Sequence, residues 1–93
     1  MKSLLPGQLD ELLRAVSHSD RRTFLRLCRD QEVSAGELAE SSALALASVS
    51  EHLKVLRKTG LLVQKRRGRF LLYRTDSTLL RKIIASLIRL EER

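Results

Sequence analysis

Ninety-three residues, 43% of them apolar, suffice for one small domain with a modest core, so residues 1–93 are read as a single domain that a partner subunit would help to bury. A single cysteine, Cys28, rules out an internal disulfide and leaves too few ligands for a thiolate metal site. No apolar run is long enough to cross a bilayer and the N-terminus lacks the apolar segment of a signal peptide, so a cytoplasmic protein without a membrane partner is expected.

The net charge is +7, and its placement is uneven. Lys54, Arg57, Lys58, Lys65, Arg66, Arg67, Arg69 and Arg74 fall in one stretch without an acid; the net charge less these eight leaves −1 for the rest of the chain. A regional basic field suits a polyanion, nucleic acid first and an anionic membrane surface second, against the plain alternative of a solvated surface.

In chain order, Leu4-Leu5-Pro6-Gly7 precedes Leu9, Leu12, Leu13 and Val16, whose three- and four-residue spacing places them in one stripe of a first helix. Ser19 is the expected N-cap of a second helix carrying Phe24, Leu25, Leu27 and Cys28 and ending near Gln31-Glu32. Ser34 with Glu37 three residues later forms a capping box for a short third helix that turns Leu38 and Ala39 inward and fades at Ser41-Ser42.

A fourth helix is expected from Ala45 to Thr59, with Val49, Leu53 and Leu56 within about 60° of one another on its inward face. Ala47, Glu51, Lys54 and Lys58 lie opposite, flanked by Ser48 and Ser50, so the outer face is small at its start and basic at its end. Gly60 stops the helix; Leu61-Leu62-Val63 and Phe70-Leu71-Leu72-Tyr73 form a hairpin whose turn is assigned to Arg67-Gly68. Asp76 or Ser77 caps a last helix containing Leu79, Leu80, Ile83, Ile84, Leu87, Ile88 and Leu90, an apolar arc of about 180° that one surface cannot cover. It either divides itself between its own core and a second subunit, with help from the first helix, or sinks wholly into its own core.

A short capped helix, a turn, an amphipathic helix with a small leading face and a basic hairpin, in that order, make a mainly α fold of five helices plus a two-stranded wing, the winged helix-turn-helix. Small residues let the fourth helix approach base edges in a major groove about 12 Å wide, and the wing supplies cations for phosphate. The expected DNA contacts are Leu46, Ala47, Ser48, Ser50 and Glu51 at the leading end, then Lys54, Arg57, Lys65, Arg66, Arg67 and Arg69. Leu46 and Ala47 either touch thymine methyl groups or only pack, with specificity then resting on shape and the wing.

The chain resembles the ArsR/SmtB group of small dimeric winged-helix repressors in Glu37-Leu38-Ala39, in Val49-Ser50-Glu51-His52-Leu53-Lys54-Val55-Leu56-Arg57, in Gly60-Leu61-Leu62, and in Gly68-Arg69-Phe70 with Tyr73-Arg74. The resemblance spans Leu12 to Leu90 and implies a homodimer whose first and last helices form the interface, here Leu5, Leu9, Leu12, Leu13, Leu80, Ile84, Leu87 and Ile88. It also implies that the fourth helix reads a near-palindromic operator in double-stranded DNA and represses until an effector releases it. Two departures remove the metal-sensing motifs: Ser34 stands where relatives carry a ligand cysteine, and residues 76–93 contain no histidine. The usual Asp-Pro-x-Arg opening of the second helix reads His18-Ser19-Asp20-Arg21, taken as alternative capping.

Cys28 is expected as a small buried hydrophobe, the alternative being a redox sensor; His52 as a packed imidazole or a phosphate contact; Tyr73 as hairpin packing. The acids are scattered, the histidines lie far apart in the chain, and no phosphate loop or nucleophile elbow occurs, so no enzyme and no cofactor is expected. The alternative from another class is a winged-helix protein interaction module.

Overall fold

The computed structural model describes residues 3–93. Helix α1 (Pro6–Ala15) begins with proline at its first position, where the missing N–H costs nothing, and Gln8 Oε1 accepts the Leu5 N–H at 2.9 Å. Helix α2 (Ser19–Leu27) starts one residue before the sequence reading placed it, because His18, not Ser19, is the N-cap, and no side-chain oxygen caps it. The unusual opening at His18 is therefore not alternative capping.

Helix α2 also stops at Leu27, short of Gln31-Glu32. The chain leaves the helix so that Val33–Ser34 can form a short strand, β1, which the sequence reading missed. Cys28 and Val33 are buried on either side of this bend, and Val33 pairs with Tyr73. Helix α3 (Ala35–Glu40) follows, closed by the expected capping box: Ser34 Oγ accepts the Glu37 N–H at 3.1 Å and Glu37 Oε1 accepts the Ser34 N–H at 3.3 Å.

Helix α4 (Leu46–Thr59) matches the expected span, with Ala45 as N-cap, and buries Val49, Leu53 and Leu56. Gly60 terminates it at φ +87°, a conformation that favours glycine. Strands β2 (Leu62–Arg67) and β3 (Phe70–Thr75) form the wing, with β1 on the far side of β3 in an antiparallel sheet of order β1-β3-β2. Arg67 pairs with Phe70, so the turn is Gly68-Arg69 and not Arg67-Gly68; Gly68, at φ +60°, takes the first central position, where type II′ hairpins place glycine.

Helix α5 (Ser77–Ile88) is capped by Asp76, whose Oδ1 accepts the Leu79 N–H at 3.1 Å, and runs into a 3₁₀ turn (Arg89–Glu91). The core gathers Leu12, Phe24, Leu38, Val49, Leu53, Leu56, Leu61, Leu62 and Ile83. Thr75, a buried polar residue, donates its hydroxyl to the Leu25 carbonyl at 2.7 Å while its N–H reaches the Cys28 carbonyl at 3.0 Å, locking the end of β3 onto α2.

Helix α5 does not sink wholly into this core: Ile83 is buried, Leu79 and Leu80 are half-buried, and Ile84, Leu87, Ile88 and Leu90 are exposed. Leu12, expected at the dimer interface, instead faces the core of its own chain beside Ala15 and presents almost nothing to a partner. Leu9 and Leu13 are half-buried and Leu5 is exposed.

Gly60→Ala should destabilise the fold by about 1–2 kcal/mol, checked by urea unfolding, because a Cβ would meet only Leu79 Cδ2 at an ordinary 3.5 Å and the strain lies in the positive φ. A loss below about 0.3 kcal/mol would mean that the left-handed cap is not constraining the start of the wing.

Candidate nucleic-acid interface

The surface built by α3, α4 and the wing is organised by the burial of one face of α4. With Val49, Leu53 and Leu56 inward, Leu46, Ala47, Ser48, Ser50, Glu51, Lys54, Arg57 and Lys58 are all exposed. Leu46 is 69% exposed, so it and Ala47 do not pack into the core. Small side chains occupy the leading turns and cations the trailing ones. Ala45 offers no capping oxygen to the N-terminus of α4, whose first N–H groups point outward with the positive end of the helix dipole.

The wing divides its cations. Lys65 and Arg67 alternate with Arg66 along β2, so they occupy one face of the sheet and Arg66 the other, while Arg69 sits in the turn. The paired face is not free of acid: Glu32 lies 3.9 Å from Lys65 Nζ and 3.5 Å from Arg67 Nη2. Among the described residues Arg66 and Arg69 have no acidic partner. Glu32 is a participant that sequence reasoning missed, since only the pairing of β1 with β3 carries it across to β2. Tyr73 is buried in the core, packing the hairpin on the domain as expected, and its hydroxyl accepts from Gln64 Nε2 on the paired strand at 2.8 Å.

The two histidines, far apart in the chain, come together with ring centroids 5.4 Å apart. Arg21 Nε–H donates to His52 Nδ1 at 3.0 Å and its Nη1 reaches the Arg14 and Ala15 carbonyls, so Arg21 joins α1, α2 and α4. His52 can accept that bond only as the neutral imidazole. Desolvation, then the adjacent Arg21 and His18 charges, push its pKa below the ordinary 6.5. Cys28 is fully buried, and desolvation raises its thiol to about 11, which leaves it a packing group rather than a nucleophile at neutral pH. Among the described residues no three His, Cys, Asp or Glu side chains gather as a metal site would require, and no helix is long and apolar enough to cross a membrane.

An antiparallel wing behind a short helix, a turn and a helix with an open outer face defines a winged helix-turn-helix. Comparison with known proteins agrees. Residues 16–65 match the model of the Helix-turn-helix domain family. The Escherichia coli HTH-type transcriptional regulator YgaV is 35% identical over 81 residues (86% of this chain, 82% of the relative). The Vibrio cholerae transcriptional activator HlyU is 33% identical over 79 residues (85% and 73%), and the Bacillus subtilis transcriptional repressor SdpR 29% identical over 76 residues (82% and 84%). Among solved structures, an ArsR-like transcriptional regulator from Rhodococcus superposes with a TM-score of 0.79 at 26% identity, covering 90% of this chain and 79% of the other. The chain belongs to the helix-turn-helix family of ArsR-type transcriptional regulators. It is a DNA-binding regulator and not an enzyme.

Because the folded state depresses the pKa of His52, the stability this contributes is complete above pH 6.5 and is lost as pH falls through the lower folded value. Thermal unfolding should therefore shift to lower temperature as the pH drops from neutral to about 5, and His52→Gln should flatten part of that decline. An identical pH profile in the variant would show that the Arg21–His52 contact does not discriminate between the two charge states.

Proposed function

We propose that the protein is a repressor that binds a near-palindromic operator as a homodimer, each α4 entering a major groove at half-sites one helical turn or a multiple apart. The observation that carries this reading is the exposed outer face of α4, with Leu46 and the small Ala47, Ser48 and Ser50 at its start and Lys54 and Arg57 at its end, leading directly into a wing whose Arg66 and Arg69 meet no acid among the described residues. On this reading Ser48, Ser50 and Glu51 make polar base contacts, Leu46 and Ala47 touch thymine methyl groups, and Lys54, Arg57, Arg66 and Arg69 carry phosphate. Lys65 and Arg67 contribute less than the sequence suggested, since Glu32 engages both.

The exposed side of α5 supports dimerisation. Ile84 and Ile88 are 49% and 55% exposed, and Arg89 Nη1 donates to Ser3 Oγ at 3.1 Å, which brings the segment carrying Leu5 alongside the end of α5. Leu5, Leu9, Leu13, Leu80, Ile84, Leu87 and Ile88 form the proposed interface, without Leu12. A second copy is the economical cover for so much apolar surface on a small domain. The repressor sign is supported by the name of SdpR, a repressor, against that of HlyU, an activator. We place the regulator in the cytoplasm, on the nucleoid, and without a metal response: at Ser34, where the family resemblance implies a ligand cysteine in metal-sensing members, the hydroxyl oxygen instead accepts the Glu37 N–H of the helix cap.

The direct test is selection of bound fragments from the source genome at two salt concentrations. A near-palindromic site that survives the higher salt supports a specific repressor; unselective binding that vanishes with salt overturns it. Arg66→Ala with Arg69→Ala should weaken binding to every duplex and flatten the dependence of log K on log salt by about 0.9 for each phosphate no longer neutralised, and an unchanged slope would remove the wing from the interface. Ile84→Glu should yield a monomer by sedimentation, with helical content retained and operator affinity abolished; a variant that stays dimeric places the interface elsewhere.

A further inference from the structure

Glu32 precedes β1, and the sheet register explains why it meets the wing. Ser34 pairs with Leu72, and Leu72 with Lys65, so residues of one parity on three strands share the outer face. Glu32, Lys65 and Arg67 meet there. The Glu32 side chain is 28% exposed, and among the described residues the two wing cations are the only groups that pair with its carboxylate.

We infer that Glu32 restrains sequence-independent DNA binding, holding Lys65 and Arg67 in ion pairs that a phosphate must displace and leaving Arg66 and Arg69 as the freely available wing cations. The inference rests on the DNA-binding reading of the wing. A phosphate approaching Lys65 or Arg67 meets the Glu32 carboxylate a few ångströms away, so the Coulomb gain from the cation is offset by repulsion between two anions. The restraint has a use. The leading face of α4 offers base edges Ser48, Ser50 and Glu51 beside the apolar Leu46 and Ala47, so its sequence-specific contribution rests on a small number of contacts. With a chain charge of +7 a phosphate contribution is added to every duplex alike, and selectivity is the ratio between the two modes of binding, which a restraint on the phosphate contribution raises.

The test measures binding to a fluorescent duplex of random sequence over a series of salt concentrations. Compared are wild type, Glu32→Gln, Glu32→Asp, the Lys65→Ala and Arg67→Ala double variant, and that double variant combined with Glu32→Gln. Glu32→Gln should bind about three- to tenfold more tightly at low salt, with a slope of log K against log salt steeper by about one to two, because up to two further phosphate contacts become available. Glu32→Asp, which keeps the charge, should stay near wild type. With Lys65 and Arg67 removed, Glu32→Gln should have no effect, the signature of a coupling that runs through those two side chains. Thermal melts should differ little between wild type and Glu32→Gln, since ion pairs to the exposed Lys65 and Arg67 side chains add little to stability. If Glu32→Gln binds equally or more weakly while wild type binds duplex in a salt-dependent manner, the restraint is overturned and the DNA reading stands. A wild type with no salt-dependent duplex binding overturns both.

Discussion

Burial of Val49, Leu53 and Leu56 fixes the rotation of α4 about its own axis, and the candidate surface depends on that rotation. Leu56 has no exposed surface and Val49 only 1%, in a core shared with Phe24 and Leu38. Turning the helix by one residue, about 100°, would carry that apolar seam into water at roughly 1.5–3 kcal/mol per side chain and draw Ser48, Ser50 or Glu51 toward the core. Packing therefore leaves one orientation. The same seam sets where α4 ends, since Gly60 releases the chain just as Leu61 and Leu62 enter the core.

Strand β3 is the second organising element because both other strands pair with it. Its far end is tied to α2 through Thr75 and the Leu25 carbonyl, and the Asp76 N–H reaches the Leu61 carbonyl at 2.9 Å. The tip carries the basic turn, away from the core. An anchored base with a solvated end lets cations concentrate at little cost in stability while their position relative to α4 stays defined. The strand pairing also delivers Glu32 to the outer face, so the electrostatics of the wing belong to the three-stranded sheet and not to the hairpin alone.

Helix α5 shows the limit set by size. A domain this small has core for one side of a helix, and Ile83 takes it with Leu79 and Leu80 half-buried beside it; Ile84, Leu87, Ile88 and Leu90 stay exposed. Arg21 adds a polar link, joining two carbonyls of α1 to His52 on α4 through one guanidinium.

Much of this was legible in the sequence. The apolar spacing of Val49, Leu53 and Leu56, the Ser34–Glu37 capping box, Gly60 after α4 and the Asp76 cap are local signals, acting over one or two turns of backbone, and the structure keeps each of them. The wing was legible as a hairpin, although its turn lay one residue further on, because the register is set by which face of β3 must be buried as well as by the glycine. Tertiary structure decided the rest. The end of α2, the strand at Val33, the inward turn of Leu12, the meeting of His18 with His52 and the pairing of Glu32 with Lys65 and Arg67 all join residues distant in the chain. A periodicity or a cap reports what a segment can do by itself. Which side of it is covered, and which charge it meets, follows only once the core has closed.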